Sequence, residues 1–189
     1  MPVRRRFLML LSVVAISCVL ALPATAEPLD GVIAVGDSVM LGAKWTLREK
    51  GVDIIDAQVS RQAITGPGLL RKHRDELPRH VVVHLGSNGT YTLAMCKDLV
   101  RTAGPERIVY LVTVKVPRPW EATNNSMLAT CAARFAKGRV ILVDWHGLAT
   151  RRPELLYADG VHLRPEGAAV FARMIARAVR GAASPGRES

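Results

Sequence analysis

Aromatic residues make up only 5% of the 189-residue chain, and its basic residues are scattered rather than gathered into a stripe. Both facts speak against a nucleic-acid groove, which needs clustered cations and aromatic platforms. No group of His, Cys, Asp or Glu has the spacing of a metal site, and no glycine-rich phosphate loop is present. No cofactor is therefore expected. No internal repeat appears. Beyond residue 26 there is no apolar run near the ~20 residues that a membrane-spanning helix takes. There are only three cysteines, and Cys18 lies in the leader segment, leaving Cys96 and Cys131 to the domain. In an oxidising compartment that pair fits either one disulfide or two buried thiols.

The N-terminus has a composition of its own. Arg4, Arg5 and Arg6 precede an apolar run from Phe7 to Leu22, and Ala24-Thr25-Ala26 closes it with small residues. This is the layout of a secretory signal peptide, residues 1–26, with cleavage after Ala26; Pro23 favours cleavage over a retained anchor. Arg4-Arg5-Arg6-Phe7-Leu8 also fits a twin-arginine signal, so two export routes stay open. Cys18 is a poor lipidation site, with Ala15 before it and Val19-Leu20 after. The expected organisation is one domain over residues 27–183 and a flexible tail at 184–189. The exported domain, periplasmic or extracellular, retains 23 basic against 16 acidic residues. Such an excess suits anionic wall polymers or membrane surfaces, or is simply a solvated face.

Short apolar runs alternate with helical patterns. Strands are expected at Val32–Val35, Asp53–Ala57, Val81–Leu85, Ile108–Val112 and Val140–Val143. Helices are expected at about 39–50, 66–76, 92–102, 124–137 and 165–180, the last with Pro165 in its first turn. Continuous apolar strands separated by helices imply a parallel sheet covered on both faces. The predicted fold is a flavodoxin-like three-layer α/β/α sandwich with five parallel strands. In such folds ligands bind beyond the carboxyl ends of the strands. Asp37-Ser38, Ser60-Arg61 and Gly86-Ser87-Asn88 all fall there.

Ser38 follows Gly36-Asp37 at a strand-to-helix junction, where its backbone N–H is placed to stabilise an oxyanion; a serine there also suits plain helix capping. A nucleophilic serine needs a base and an orienting carboxylate. His73 and His80 are expected to be exposed, His84 to be a satisfied core residue, and His146 to be possible as the base. His162 is preferred, because Asp159-Gly160-Val161-His162 lets the carboxylate fold back onto the imidazole. Asp144 and Asp37 are the rival acids and lack that local tie. Asn88 can donate its side-chain amide to a developing alkoxide, although Asn-Gly is also an ordinary turn pair. Trp120 suits either stacking on a sugar ring or packing in the core or a lid.

Gly36-Asp37-Ser38, Gly86-Ser87-Asn88 and Asp159-Gly160-Val161-His162 together resemble, in order and spacing, the signature blocks of the SGNH/GDSL hydrolase superfamily. Gly36–Gly42, Asp56–Gln62, His84–Gly89, Val116–Glu121 and Asp144-Trp145 are similar to the extracytoplasmic catalytic domain of peptidoglycan O-acetyltransferases. The resemblance spans essentially the whole exported chain. It implies a Ser38–His162–Asp159 triad and an oxyanion hole from Ser38, Ser60 and Asn88. It also implies transfer of an acetyl group through Ser38 to a muramoyl hydroxyl, with O-acetylated carbohydrate or peptidoglycan as partner. Where the superfamily has a glycine after the second strand, this chain has Ser60. The 189 residues hold no multi-pass acyltransferase of the kind commonly fused to those domains. The expectation is therefore either a separate membrane partner that delivers acetyl groups or a free-standing esterase. A non-catalytic wall-binding module would lack one of these side chains, and none is missing.

Overall fold

The computed structural model describes residues 28–183, so the predicted signal peptide and tail lie outside the described residues. Five strands, β1 (Val32–Gly36), β2 (Ile54–Ala57), β3 (His80–His84), β4 (Ile108–Val112) and β5 (Val140–Val143), form one parallel sheet in the order β2-β1-β3-β4-β5. This is the doubly wound flavodoxin-like order, which reverses direction between β1 and β3. Gly36 pairs with Ala57 on one side and His84 on the other, so three strands end at one level.

Alternate residues of each strand enter opposite cores, as the two-residue period of a strand requires. Val32, Ala34, Val82, Tyr110 and Val112 pack with the helices α1 (Ser38–Gly42), α2 (Lys44–Glu49), α6 (Trp145–Arg151) and α7 (Pro165–Ala183). Ile33, Val35, Val81, Val83 and Leu111 pack with α3 (Gly66–Lys72), α4 (Leu93–Ala103) and α5 (Glu121–Ala132). A disulfide between Cys96 of α4 and Cys131 of α5 crosses the second core.

The structure corrects several boundaries. The helix expected over 39–50 is two, because Gly42, a weak helix former, ends α1 and Ala43 joins it to α2. The 66–76 helix stops at Lys72 and continues as a tight 3₁₀ turn, Arg74–Glu76. The fourth expected helix, over 124–137, begins at Glu121 and ends at Ala132, short of Lys137. Helix α6 was not expected at all. Its seven residues include Gly147, and its start depends on the Asp144 carboxylate accepting the Gly147 N–H at 2.9 Å. His80 is buried rather than exposed. It is the first residue of β3, and its Nδ1 lies 2.8 Å from the Tyr110 hydroxyl. His73 is also mostly covered, held between Asp56 and Glu76.

Candidate active site

The turn after β1 is fixed by Asp37. Its carboxylate is fully buried and accepts the Val39 N–H at 3.0 Å, the Ser87 N–H at 3.3 Å and the His84 Nδ1–H at 3.1 Å. Burial acts to raise its pKa, but the charge and hydrogen bond of His84, the Val39 amide and Ser87 outweigh it and hold it below its usual value. Asp37 is thus the helix cap that joins the turn after β1 to the turn after β3. Ser38 is left as the first residue of α1 with its hydroxyl uncommitted to capping. His84 is only half satisfied: its Nε2 is buried and has no partner among the described residues.

Ser38 meets a loop from the far end of the sequence. His162 Nε2 lies 3.1 Å from Ser38 Oγ, and His162 Nδ1 lies 2.7 Å from Asp159 Oδ2. The other Asp159 oxygen accepts the backbone N–H groups of Val161 at 2.9 Å and His162 at 3.0 Å. Burial works against the charged carboxyl, yet the hydrogen bonds from the His162 ring and these two amides lower its pKa to about 2. The loop is closed by a Tyr157 N–H to His162 carbonyl bond of 2.8 Å, and Gly160 turns it at a φ of 69°, a region costly to other residues. The carboxylate, imidazole and hydroxyl form a continuous relay, with the imidazole about half exposed.

Three elements frame the hydroxyl. The Ser38 N–H begins α1 and has no acceptor inside the helix. Asn88 gives one amide hydrogen to the Arg61 carbonyl at 3.3 Å and keeps the other free. Ser60 lines the same cleft and is the one non-glycine residue with positive φ among the described residues, at 58°. That left-handed conformation is a physical reason for glycine at this place. Beneath it, Arg61 donates to the Gly36 carbonyl at 3.1 Å and to the Asp56 carboxylate at 2.8 Å, tying the ends of β1 and β2 together.

The whole cleft measures about 730 Å³, and the loop before α5 forms the rest of its wall. Val116 to Trp120 line it, with Arg118 exposed between two prolines. Two asparagines missed by sequence reasoning hold its walls. Asn124 is fully buried; it donates to the carbonyls of Gly86 and Gly89 at 2.9 and 2.8 Å and accepts the Tyr91 N–H at 2.7 Å. Asn125 bonds both backbone groups of Val114. Glu121 accepts the Val116 N–H and the His146 Nε2–H, so His146 supports the wall and does not reach Ser38. The only hint in the sequence was a polar pair where an amphipathic helix should show apolar residues. Asp144 caps α6 and is likewise not part of the relay. Among the described residues no group of His, Cys, Asp and Glu could hold a metal.

No protein-family model matches the chain. Curated relatives do. It is 36% identical over 158 residues to YrhL of Bacillus subtilis and 35% identical over 147 residues to the peptidoglycan O-acetyltransferase OatA of Listeria monocytogenes. Those matches cover 82% and 76% of this chain but 24% and 23% of the relatives, so the chain spans about a quarter of their length. Among solved structures, the C-terminal catalytic domain of Streptococcus pneumoniae OatA, with a methylsulfonyl adduct, superposes with a TM-score of 0.72 at 25% identity. That match covers 84% of this chain and 97% of that domain. A family 3 carbohydrate esterase from Talaromyces cellulolyticus shares the fold, with a TM-score of 0.64 at 16% identity, covering 82% of this chain and 99% of that one. The chain therefore carries an SGNH/GDSL-type fold and is similar to the catalytic domain of peptidoglycan O-acetyltransferases.

Proposed function

From its likeness to the catalytic domain of peptidoglycan O-acetyltransferases, we propose that this chain is an exported serine enzyme that moves acetyl groups on cell-wall carbohydrate. The observation that carries the proposal is the Ser38–His162–Asp159 relay, with contacts of 3.1 and 2.7 Å, at the rim of an open cleft. His162 Nε2 takes the Ser38 proton as Oγ attacks the carbonyl carbon of an acetyl ester. Asp159 keeps the Nδ1–H tautomer and stabilises the imidazolium. The tetrahedral oxyanion is met by the Ser38 N–H, the Ser60 N–H and the free Asn88 amide hydrogen. Collapse expels the donor's alcohol, which leaves with the proton from His162, and acetyl-Ser38 remains. In the second half His162 removes a proton from a sugar hydroxyl of peptidoglycan, whose oxygen takes the acetyl group and frees Ser38.

Trp120 offers a face for the acceptor sugar ring. In this reading a separate multi-pass membrane protein brings acetyl groups to the cleft. The exposure of His162 also favours a second reading, a free-standing acetylesterase in which water completes the second half. Incubating the protein with a small acetyl ester and a chitooligosaccharide separates the two. Acetylated sugar marks the transferase, and acetate release indifferent to the acceptor marks the esterase. Ser38→Ala is expected to lower either turnover by at least about 10⁴-fold. Unchanged turnover in that variant removes the relay from the mechanism.

A further inference from the structure

The cations that look scattered along the sequence are sorted in space. In a parallel sheet every strand starts at one edge, and the covering helices end there. Three surface hollows line that edge. Lys50 and Arg177 border the first, Arg79 and Lys137 the second, Arg71 and Arg74 the third. Gly181 is shared by the first two and Arg107 by the last two, so the hollows form one continuous surface. Ten Lys and Arg residues border it against two carboxylates, Glu49 and Glu106.

Part of this charge is structural. Arg107 and Arg139 donate to backbone carbonyls, and cations in the last turns of helices answer the helix dipole. Neither reason covers Arg79 and Lys137, which lie in turns leading to β3 and β5. Together with Arg177 they are exposed and form no ion pair among the described residues. The surface runs the width of five strands, about 20 Å, and lies about 17 Å from the carboxyl ends of those strands. A broad plane of charge fits a flat surface better than a single polymer strand. The chain also enters the described domain here: Pro28 borders the first hollow, and the Leu29 N–H donates to the Lys50 carbonyl at 2.7 Å. The described chain thus begins at this edge.

We propose that this strand-start edge docks on an anionic lipid bilayer and turns the Ser38 cleft away from the membrane. The charge match holds with the leader attached or removed, and it is independent of the reaction assigned to the cleft. The test is co-sedimentation of the full chain with phosphatidylcholine vesicles, with and without phosphatidylglycerol. Neutral vesicles measure whatever the apolar run contributes, and the difference measures the charged edge. Binding is expected to rise at least tenfold with phosphatidylglycerol and to fall back as salt is added. The triple variant Arg79→Glu, Lys137→Glu, Arg177→Glu should lose about a hundredfold in binding to the anionic vesicles, at about fivefold per cation, with its melting temperature unchanged. Equal binding to the two vesicle types by the wild-type chain overturns the proposal, and that arm stands if the variant fails to fold. A folded triple variant that binds as wild type overturns it too, as does binding to soluble polyglycerol phosphate without any preference for anionic vesicles.

Discussion

Ser60 shows how one dihedral angle can carry a functional expectation. Its φ of 58° lies where a side chain is disfavoured, and the proposed mechanism makes its backbone N–H one of three donors to the oxyanion. Glycine relieves the local strain but gains freedom in the unfolded chain, and the two effects nearly cancel. Ser60→Gly should therefore leave melting temperature and turnover close to wild type. Ser60→Val, β-branched at positive φ, should cost about 1–3 kcal/mol of stability by denaturant titration and lower kcat. At this scale the relay was legible in the sequence, since Asp159 and His162 are neighbours and Ser38 carries a recognisable flank. Asn124 was not legible, because it acts on backbone groups 33 to 38 residues away; Asn125 and Glu121 bond the nearer loop of Val114 and Val116, whose path between β4 and α5 no local pattern foretells. Asp37 was weighed as a rival acid, and its capping of α1 needed no long-range knowledge. Its bond to His84 did, because 47 residues separate the two.

Between elements, two devices hold the site's supports in place. The disulfide joins α4 to α5, and the first turn of α5 positions the turn after β3 and the start of the Trp120 loop. It closes a loop spanning 35 residues, so replacing both cysteines by alanine should cost about 4 kcal/mol in the chain-entropy account, measured by denaturant titration. The second device is His73, whose Nδ1 and Nε2 lie 2.7 and 2.9 Å from the carboxylates of Glu76 and Asp56. The bond to Glu76 leads in raising its pKa above 6.5; burial opposes the rise, and Asp56 adds to it. A raised folded value means this stability is fully present below pH 6.5 and is lost as pH climbs through the folded value. Melting temperature should thus fall as pH rises from neutral in the wild type, and fall less steeply in His73→Gln. Parallel slopes contradict the role given to this histidine. Helices long enough to show a period were readable from the sequence. Helix α6 was not, because seven residues around a glycine leave too little pattern, and a buried His80 was hidden because its partner, Tyr110, lies on another strand.

Across the whole molecule, the parallel sheet gives the domain two unlike ends. The carboxyl edge gathers Ser38, Ser60, Asn88, Asp159 and His162 from separate loops, while the opposite edge gathers the cations. The fold was legible because five apolar runs separated by helical patterns allow few arrangements, and their alternation between two cores follows from strand geometry. The sorting of charge was not legible, because it depends on which turns the sheet brings together. The central claim is that acetyl transfer passes through Ser38. Intact-mass and peptide mapping of the protein quenched during turnover of an acetyl ester tests it most directly. A single acetyl group on Ser38, absent from His162→Ala and Ser38→Ala, is the predicted result. Undiminished turnover by Ser38→Ala, or acetyl carried at another residue, would contradict it.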